Sequence, residues 1–220
     1  MASRLVVCDL CNTLYKSNTT YDFIRFVLLG KSRTRLLIFN LLIKKWSPVF
    51  IVLTIINRIL SRDFNREFSL KLISGFHEST LLIAAQRFYN VFLSTRRNEQ
   101  VFDILKEYEH DSEIILASSS IYPVVQMVAG GNRFNHFVAS RLETNQGKST
   151  GNLSTDLTGK KQEYVQGIML NQKFDELIVI TDNRSDKLLV KMADKSHIVV
   201  KSENDKVFWK DVMADFIIIP

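Results

Sequence analysis

The stretch Arg4-Leu5-Val6-Val7-Cys8-Asp9-Leu10-Cys11-Asn12-Thr13 decides the fold. Its apolar run is short and unbroken, and it stops at an acid followed by small polar residues. A strand buried on both faces of a parallel sheet has this form, because neither face alternates to polar. Working outward, the same form recurs three times. Glu113-Ile114-Ile115-Leu116-Ala117 runs into Ser118-Ser119-Ser120, and Leu177-Ile178-Val179-Ile180 runs into Thr181-Asp182-Asn183. His197-Ile198-Val199-Val200 is a further strand-like run.

Segments of helical spacing lie between these runs. Val124, Val125, Val128 and Ala129 follow the second run, Tyr164, Val165, Ile168 and Met169 precede the third, and Leu188, Leu189 and Met192 follow it. Strands alternating with helices predict an α/β fold, a Rossmann-like open parallel sheet covered on both faces. Ligands of such sheets bind at the carboxyl ends of the strands, where the polar residues above fall. The alternation breaks over residues 20–98, which are apolar and helical in spacing throughout. The expected organisation is therefore an α/β core made of residues 1–19 and 99–220, with a helical cap inserted at 20–98.

The chain has 220 residues, 46% hydrophobic and 24% charged, as a folded globular protein does. Its two cysteines, Cys8 and Cys11, are too few and too close for a disulfide framework. The first residues lack the basic lead and apolar run of a secretory signal, so a cytoplasmic setting is the expectation. The net charge of +6 is concentrated in the insert. Residues 36–60 are strongly apolar and are interrupted by Lys44-Lys45 and Pro48. Around them lie Lys31, Arg33, Arg35, Arg58, Arg62 and Arg66, with Asp63 the sole acid. Each lysine at the centre of a spanning helix costs about 2.5–3.5 kcal/mol, which argues against a simple membrane span. Two readings stay open: a helix pair lying on an anionic membrane surface, and a buried pair with solvated basic flanks. Trp46 fits either, as an interfacial anchor or a packed tryptophan. The basic residues alternate with aliphatics rather than stacking aromatics, so nucleic acid is not an expected partner. His77, His110, His136 and His197 share no metal-ligand spacing.

Asp9-Leu10-Cys11-Asn12-Thr13 at the end of a first strand resembles the first motif of the haloacid dehalogenase superfamily, usually Asp-x-Asp-x-Thr. Ser118 matches the second motif, Lys161 the third, with Lys160 as its rival, and Asp182 with Asp186 the fourth. Phe134-Asn135-His136-Phe137 and the segment from Gly147 to Leu153 are similar to the subgroup related to phosphoserine phosphatases. The resemblance implies a phosphatase acting on a small phosphomonoester. Asp9 would be the nucleophile, since a carboxylate attacking phosphorus splits one hard substitution into two easier ones. Repulsion between that carboxylate and a phosphate dianion calls for cations, and Mg2+ suits a site of one or two carboxylates, phosphate oxygens and water. By the resemblance, Asp9, Asp182 and the Cys11 carbonyl hold the metal, and Asp186 orients waters or a neighbouring lysine. Thr13, Ser118, Ser119 and Lys161 bind the phosphoryl group, with the Ser119 N–H expected at a helix start, where anions are favoured.

Position 11 departs from the family. The usual second acid protonates the leaving group and then activates water, and losing such a group costs about 100- to 10,000-fold. A thiol with an ordinary pKa near 8.5 replaces it poorly. The departure leaves three roles open: a phosphatase for substrates with good leaving groups, a slow phosphotransferase, or a protein that binds phosphate compounds without turning them over. A dehalogenase would also lack the second acid, but it would not require Asp182 as a ligand. The basic, apolar cap points to a lipid-linked or sugar phosphate.

Overall fold

The computed structural model describes residues 3–132 and 134–219. Its strands are β1 (Arg4–Cys8), β2 (Ser112–Ile121), β3 (His136–Asn145), β4 (Lys148–Thr155), β5 (Glu176–Thr181), β6 (Lys195–Val200) and β7 (Asp215–Ile218). They form one sheet in the order β4-β3-β2-β1-β5-β6-β7, parallel throughout except for the antiparallel β3–β4 pair. The α/β class is the one the apolar runs predict. β1 is central because both of its faces are apolar. Val6 and Cys8 join one buried cluster, and Leu5 and Val7 join the other.

Helices α6 (Glu99–Tyr108) and α7 (Tyr122–Gly130) cover the first face with Val101, Leu105, Val125 and Val128. Helices α8 (Lys161–Asn171) and α9 (Lys187–Met192) cover the second with Val165, Leu189 and Val190. Full burial of such a side chain contributes about 1.5–3 kcal/mol, so both layers are held chiefly by apolar area.

Between β1 and β2 the chain forms helices α1 (Thr19–Leu29), α2 (Arg33–Ile43), α3 (Pro48–Leu60), α4 (Phe64–Lys71) and α5 (Glu78–Val91). Their starts follow ordinary capping chemistry. Ser32 accepts from the Arg35 N–H at 3.3 Å, Asp63 accepts from the Arg66 N–H at 3.0 Å, and Pro48 sits in the first turn of α3. Phe23, Ile24 and Phe88 belong to the same buried cluster as Val6 and Leu116, so the inner helices share the core of the sheet. The outer pair, α2 and α3, is different: in α3 only Leu53 is buried. Among the described residues no single helix is long and apolar enough to cross a membrane. The α2–α3 pair reaches that length and composition only together, and it is bent by 54° at Lys44 to Ser47.

Three strands lie outside the four apolar runs. β4 is an edge strand, and β3 pairs with β2 only through its first half; its second half runs on beside β4 alone and is largely exposed, so polar residues interrupt both. Their connection, Gln146-Gly147, has φ of 49° and 73°, both positive, as a two-residue hairpin turn demands. Gly151 on β4 (φ 78°) lets the hairpin press onto α4. A Cβ there would lie 2.7 Å from Lys71 Cα and 2.9 Å from the Leu70 carbonyl oxygen. β7 is short and lies at the far edge of the sheet.

Candidate active site

Register brings the functional residues together. Cys8 is level with Leu116 on β2 and with Ile180 on β5, so Asp9, Ser118 and Asp182 leave the same edge of the sheet. The chain departs from β1 toward β2 on one side and returns to β5 on the other. A crevice opens where the order reverses. It is a cavity of about 860 Å³, lined by Asp9, Cys11, Arg66, Ser119, Asp182 and Asn183 among others.

Lys161 lies at the first turn of α8, buried, with Nζ 2.8 Å from Asp9 Oδ1 and 2.8 Å from Asp186 Oδ2. Lys160 is exposed, so Lys161 is the lysine that reaches the acids. Burial alone would lower the Lys161 pKa, but Asp9 and then Asp186 more than reverse that and raise it. Asp186 also accepts from Thr181 Oγ1 at 2.8 Å, on the same oxygen that meets Lys161. Burial pushes the Asp9 carboxyl above its ordinary value, with Lys161 opposing and Asp186 adding to the rise.

Asp182 is fixed by Thr13 through two hydrogen bonds. The Thr13 hydroxyl donates to Asp182 Oδ1 at 3.2 Å, and the Asp182 N–H donates to Thr13 Oγ1 at 2.8 Å. Thr13, expected beside the phosphoryl group, is thus placed against Asp182. Its hydroxyl is committed to Asp182, and the residue is fully buried. Asp182 is pushed up to about 7, by burial first and then by the charge on Asp9.

The serines need a correction. β2 continues through Ser118, Ser119 and Ser120, and α7 starts only at Tyr122, so Ser119 lies in the strand and not at a helix start. Past Ser118 the pairing with β3 slips, and Ile121 is the next residue in register, opposite Ser140. Ser119 lines the cavity, while Ser118 is buried beside it and accepts the Ser120 N–H at 3.1 Å.

Cys11 follows β1 in a loop turned by Asn12, whose φ is 51°. Its Sγ lies 2.8 Å from Thr19 Oγ1 and 3.1 Å from Ser120 Oγ. Those two hydroxyls also touch each other, and Thr20 Oγ1 lies 3.1 Å from Ser120 Oγ. Burial, then the Asp9 charge, raises the thiol's pKa, so Cys11 is a neutral thiol in a hydroxyl cluster.

The family model of haloacid dehalogenase-like hydrolases matches residues 6–191. The chain belongs to that family. No curated protein matches the hydrolase's sequence. Its fold is similar to a protein of unknown function from Bordetella pertussis Tohama I, at 15% identity and a TM-score of 0.74, covering 98% of this chain and 99% of that one. It is also similar to a phospho-aspartyl intermediate analogue of phosphoserine phosphatase (15% identity, TM-score 0.64, 99% and 94% covered). A third is cytosolic 5′-nucleotidase IIIB bound to cytidine (15% identity, TM-score 0.66, 97% and 79% covered). At this identity the likeness is one of fold.

The hydrolase site contains a cation that the motifs do not signal. Arg66, from α4, lines the cavity and is largely buried. Its guanidinium donates to both Asp156 carboxylate oxygens at 2.9 and 2.8 Å, and to the Ser119 carbonyl at 2.7 Å. Its acid lies 90 positions away, so no local pattern marks the pairing. Thr19 and Ser120 likewise read as ordinary polar residues until the fold joins them.

The donor set fits a hard divalent cation. Asp9, Asp182 and Asp186 bring three carboxylates together at Lys161, and burial first and the Asp9 charge second raise Asp182. Among the described residues no three His, Cys, Asp or Glu side chains form a metal-holding group by themselves. Magnesium needs no such group, since it takes one or two carboxylates and fills its shell with water, carbonyl and substrate oxygens.

Proposed function

We propose that this hydrolase is a magnesium-dependent phosphomonoesterase with Asp9 as nucleophile. The observation that carries the reading is Lys161 held between Asp9 and Asp186, with Asp182 beside them at the cavity floor. Binding a phosphate compound needs cations; it does not need a buried carboxylate placed against them. Asp9, Asp182 and the Cys11 carbonyl would hold magnesium, which supplies positive charge against the repulsion between carboxylate and phosphate.

The chain's own residues do the rest. An Asp9 oxygen attacks phosphorus, the bond from phosphorus to the ester oxygen breaks, and the departing oxygen takes a proton from water in the cavity. Water then attacks the aspartyl-phosphate, releasing inorganic phosphate and restoring the carboxylate. Lys161 holds Asp9 in place and offsets charge on the transferring group, and Ser118 and Ser119 border it. Phosphoserine phosphatase and 5′-nucleotidase among the similar folds favour a small phosphomonoester. The apolar, basic insert favours one carrying a lipid or sugar group.

Cys11 supports a second reading, in which the aspartyl-phosphate lasts long enough to reach an acceptor other than water. The test is phosphate release from a panel of phosphomonoesters with magnesium, beside Asp9→Asn. Release that stops in Asp9→Asn, and that chelation abolishes and magnesium restores, is expected. Undiminished release by Asp9→Asn would overturn the proposal. Transfer to an added alcohol in excess of hydrolysis would favour the second reading.

A further inference from the structure

The outer helix pair leaves an apolar face open. Leu37, Ile51, Val52, Ile55, Ile59 and Leu60 are each at least half exposed, with Ile59 at 72%. Val52, Ile55 and Ile59 recur at the spacing of one helix face. Patches of this kind mark an interaction surface rather than an ordinary exterior. The pair is tied to the body along its inner side, by Phe39, Leu36 and Ile43 against the main core, by buried Leu42 and Leu53, and by hydrogen bonds from Arg35 and between Asn57 and Asn65.

Charge says what the face meets. From Asp22 to Asp63 the chain carries no acid, while eight Lys and Arg residues fall between them. Arg35 is turned inward, donating to the Leu72 and Ser74 carbonyls at 3.0 Å, and Arg62 pairs with Glu67. Lys31, Arg33, Lys45 and Arg58 pair with no acid among the described residues, and Lys44 lies 5.2 Å from the Trp46 ring. Trp46 stands 72% exposed at the bend between the helices. A protein partner would need acids to match these cations, and a second copy of this chain would bring the same cations against them. An anionic bilayer supplies both an apolar layer and a sheet of negative charge, with its boundary at the depth an indole prefers.

We infer that the α2–α3 face docks on the surface of an anionic membrane, lying in the interface without crossing it. The end of α3 leads within a few residues to Asp63 and Arg66, which line the cavity. A docked α3 therefore sets the site beside the headgroups. The docking itself does not depend on the catalytic reading.

The test is flotation of the full-length protein with phosphatidylcholine vesicles, with and without phosphatidylglycerol, together with tryptophan fluorescence. Trp209 is buried, so a blue shift on vesicle addition reports Trp46. Expected are co-flotation and a blue shift with the anionic vesicles alone, release by high salt, and loss of the shift in Trp46→Phe. Removing two surface cations in Lys44→Ala/Lys45→Ala is expected to lower partitioning about 25-fold, roughly fivefold for each charge. Ile55→Ser/Ile59→Ser is expected to weaken binding with the cations intact. A wild type that stays free of anionic vesicles overturns the inference. So does a vesicle-free dimer that Ile55→Ser/Ile59→Ser makes monomeric, since a second copy would then cover the face. Phosphate release in detergent-free buffer, measured on the same samples, shows separately whether the catalytic reading stands.

Discussion

Replacing Cys11 with aspartate is expected to restore a general acid that this chain lacks. The perturbation is local. Position 11 lines the cavity, and its side chain already sits against the hydroxyls of Thr19 and Ser120, at 2.8 and 3.1 Å. A carboxyl group is one atom longer and meets the same two hydroxyls, so it has partners in place. A positioned general acid contributes about 100- to 10,000-fold, or about 2.7–5.4 kcal/mol at 1.36 kcal/mol per decade. Thr19 and Ser120 donate hydrogen bonds best to the ionised form, which is the wrong form for giving up a proton. The gain is therefore set at the lower end, about 100-fold.

The assay compares kcat/KM for an alkyl phosphate and for p-nitrophenyl phosphate, in the wild type and in Cys11→Asp. This ratio reports steps up to departure of the leaving group, so the later water step does not enter it. An alkoxide needs a proton as it leaves, whereas nitrophenolate does not. The expected result is about a 100-fold gain on the alkyl ester with little change on the aryl ester. An equal gain on both substrates, or none on the alkyl ester in a variant with wild-type near-ultraviolet dichroism, would refute the reasoning.

Lys161→Met removes the cation between two buried carboxylates. Breaking a buried pair costs about 3–5 kcal/mol, so urea unfolding should show a loss of that size together with loss of activity. Gly151→Ala forces a side chain into positive φ and against α4 backbone, and a loss of about 2–4 kcal/mol is expected in the same measurement. His197 is held below its ordinary value of 6.5, by burial first and then by Lys195. The unfolded chain therefore takes up that proton first, so this contribution to stability is complete above pH 6.5 and is lost as pH falls through the folded-state value. Denaturant midpoints of His197→Gln should decline less than those of the wild type between pH 7 and pH 5.

The central half of the sheet was legible because its strands are buried on both faces. β1, residues 114–117 of β2, residues 177–180 of β5 and residues 198–200 of β6 carry the apolar runs, and the acids that follow β1 and β5 sit where a parallel sheet holds its ligands. β3 and β4 were not, because the hairpin they form projects past β2 with polar, exposed residues and an irregular register, and only Gln146-Gly147 marks its turn. Asp9, Lys161, Asp182 and Asp186 could be proposed because each stands at a strand end or at a helix start. The contact of Thr13 with Asp182 had no signal in the sequence, because a hydroxyl beside a nucleophile serves equally well for a phosphate or for a neighbouring acid. Arg66 had no sequence signal at all, since it reads as one more cation in a basic helical stretch.

Arg66 also shows that the insert has two halves of different attachment. α4 carries it to the cavity, and the pairing with Asp156 just past β4, together with the close approach at Gly151, fastens α4 to the hairpin. That half is built into the site, because Phe23, Phe88 and the strands share one core. The outer half, α2 and α3, is attached through its inner side, by Phe39, Leu42, Leu53, Leu36 and Ile43, and its other face leaves Ile51, Val52, Ile55 and Ile59 outward. Apolar residues left exposed contribute little to folding, so their retention in α3 is not explained by stability of this chain. Substitutions at Ile55 and Ile59 should accordingly leave the unfolding midpoint within about 0.5 kcal/mol of the wild type, the range of surface changes that touch no core. A loss several times larger would mean that this face packs against the protein itself, and that the membrane reading of it is wrong.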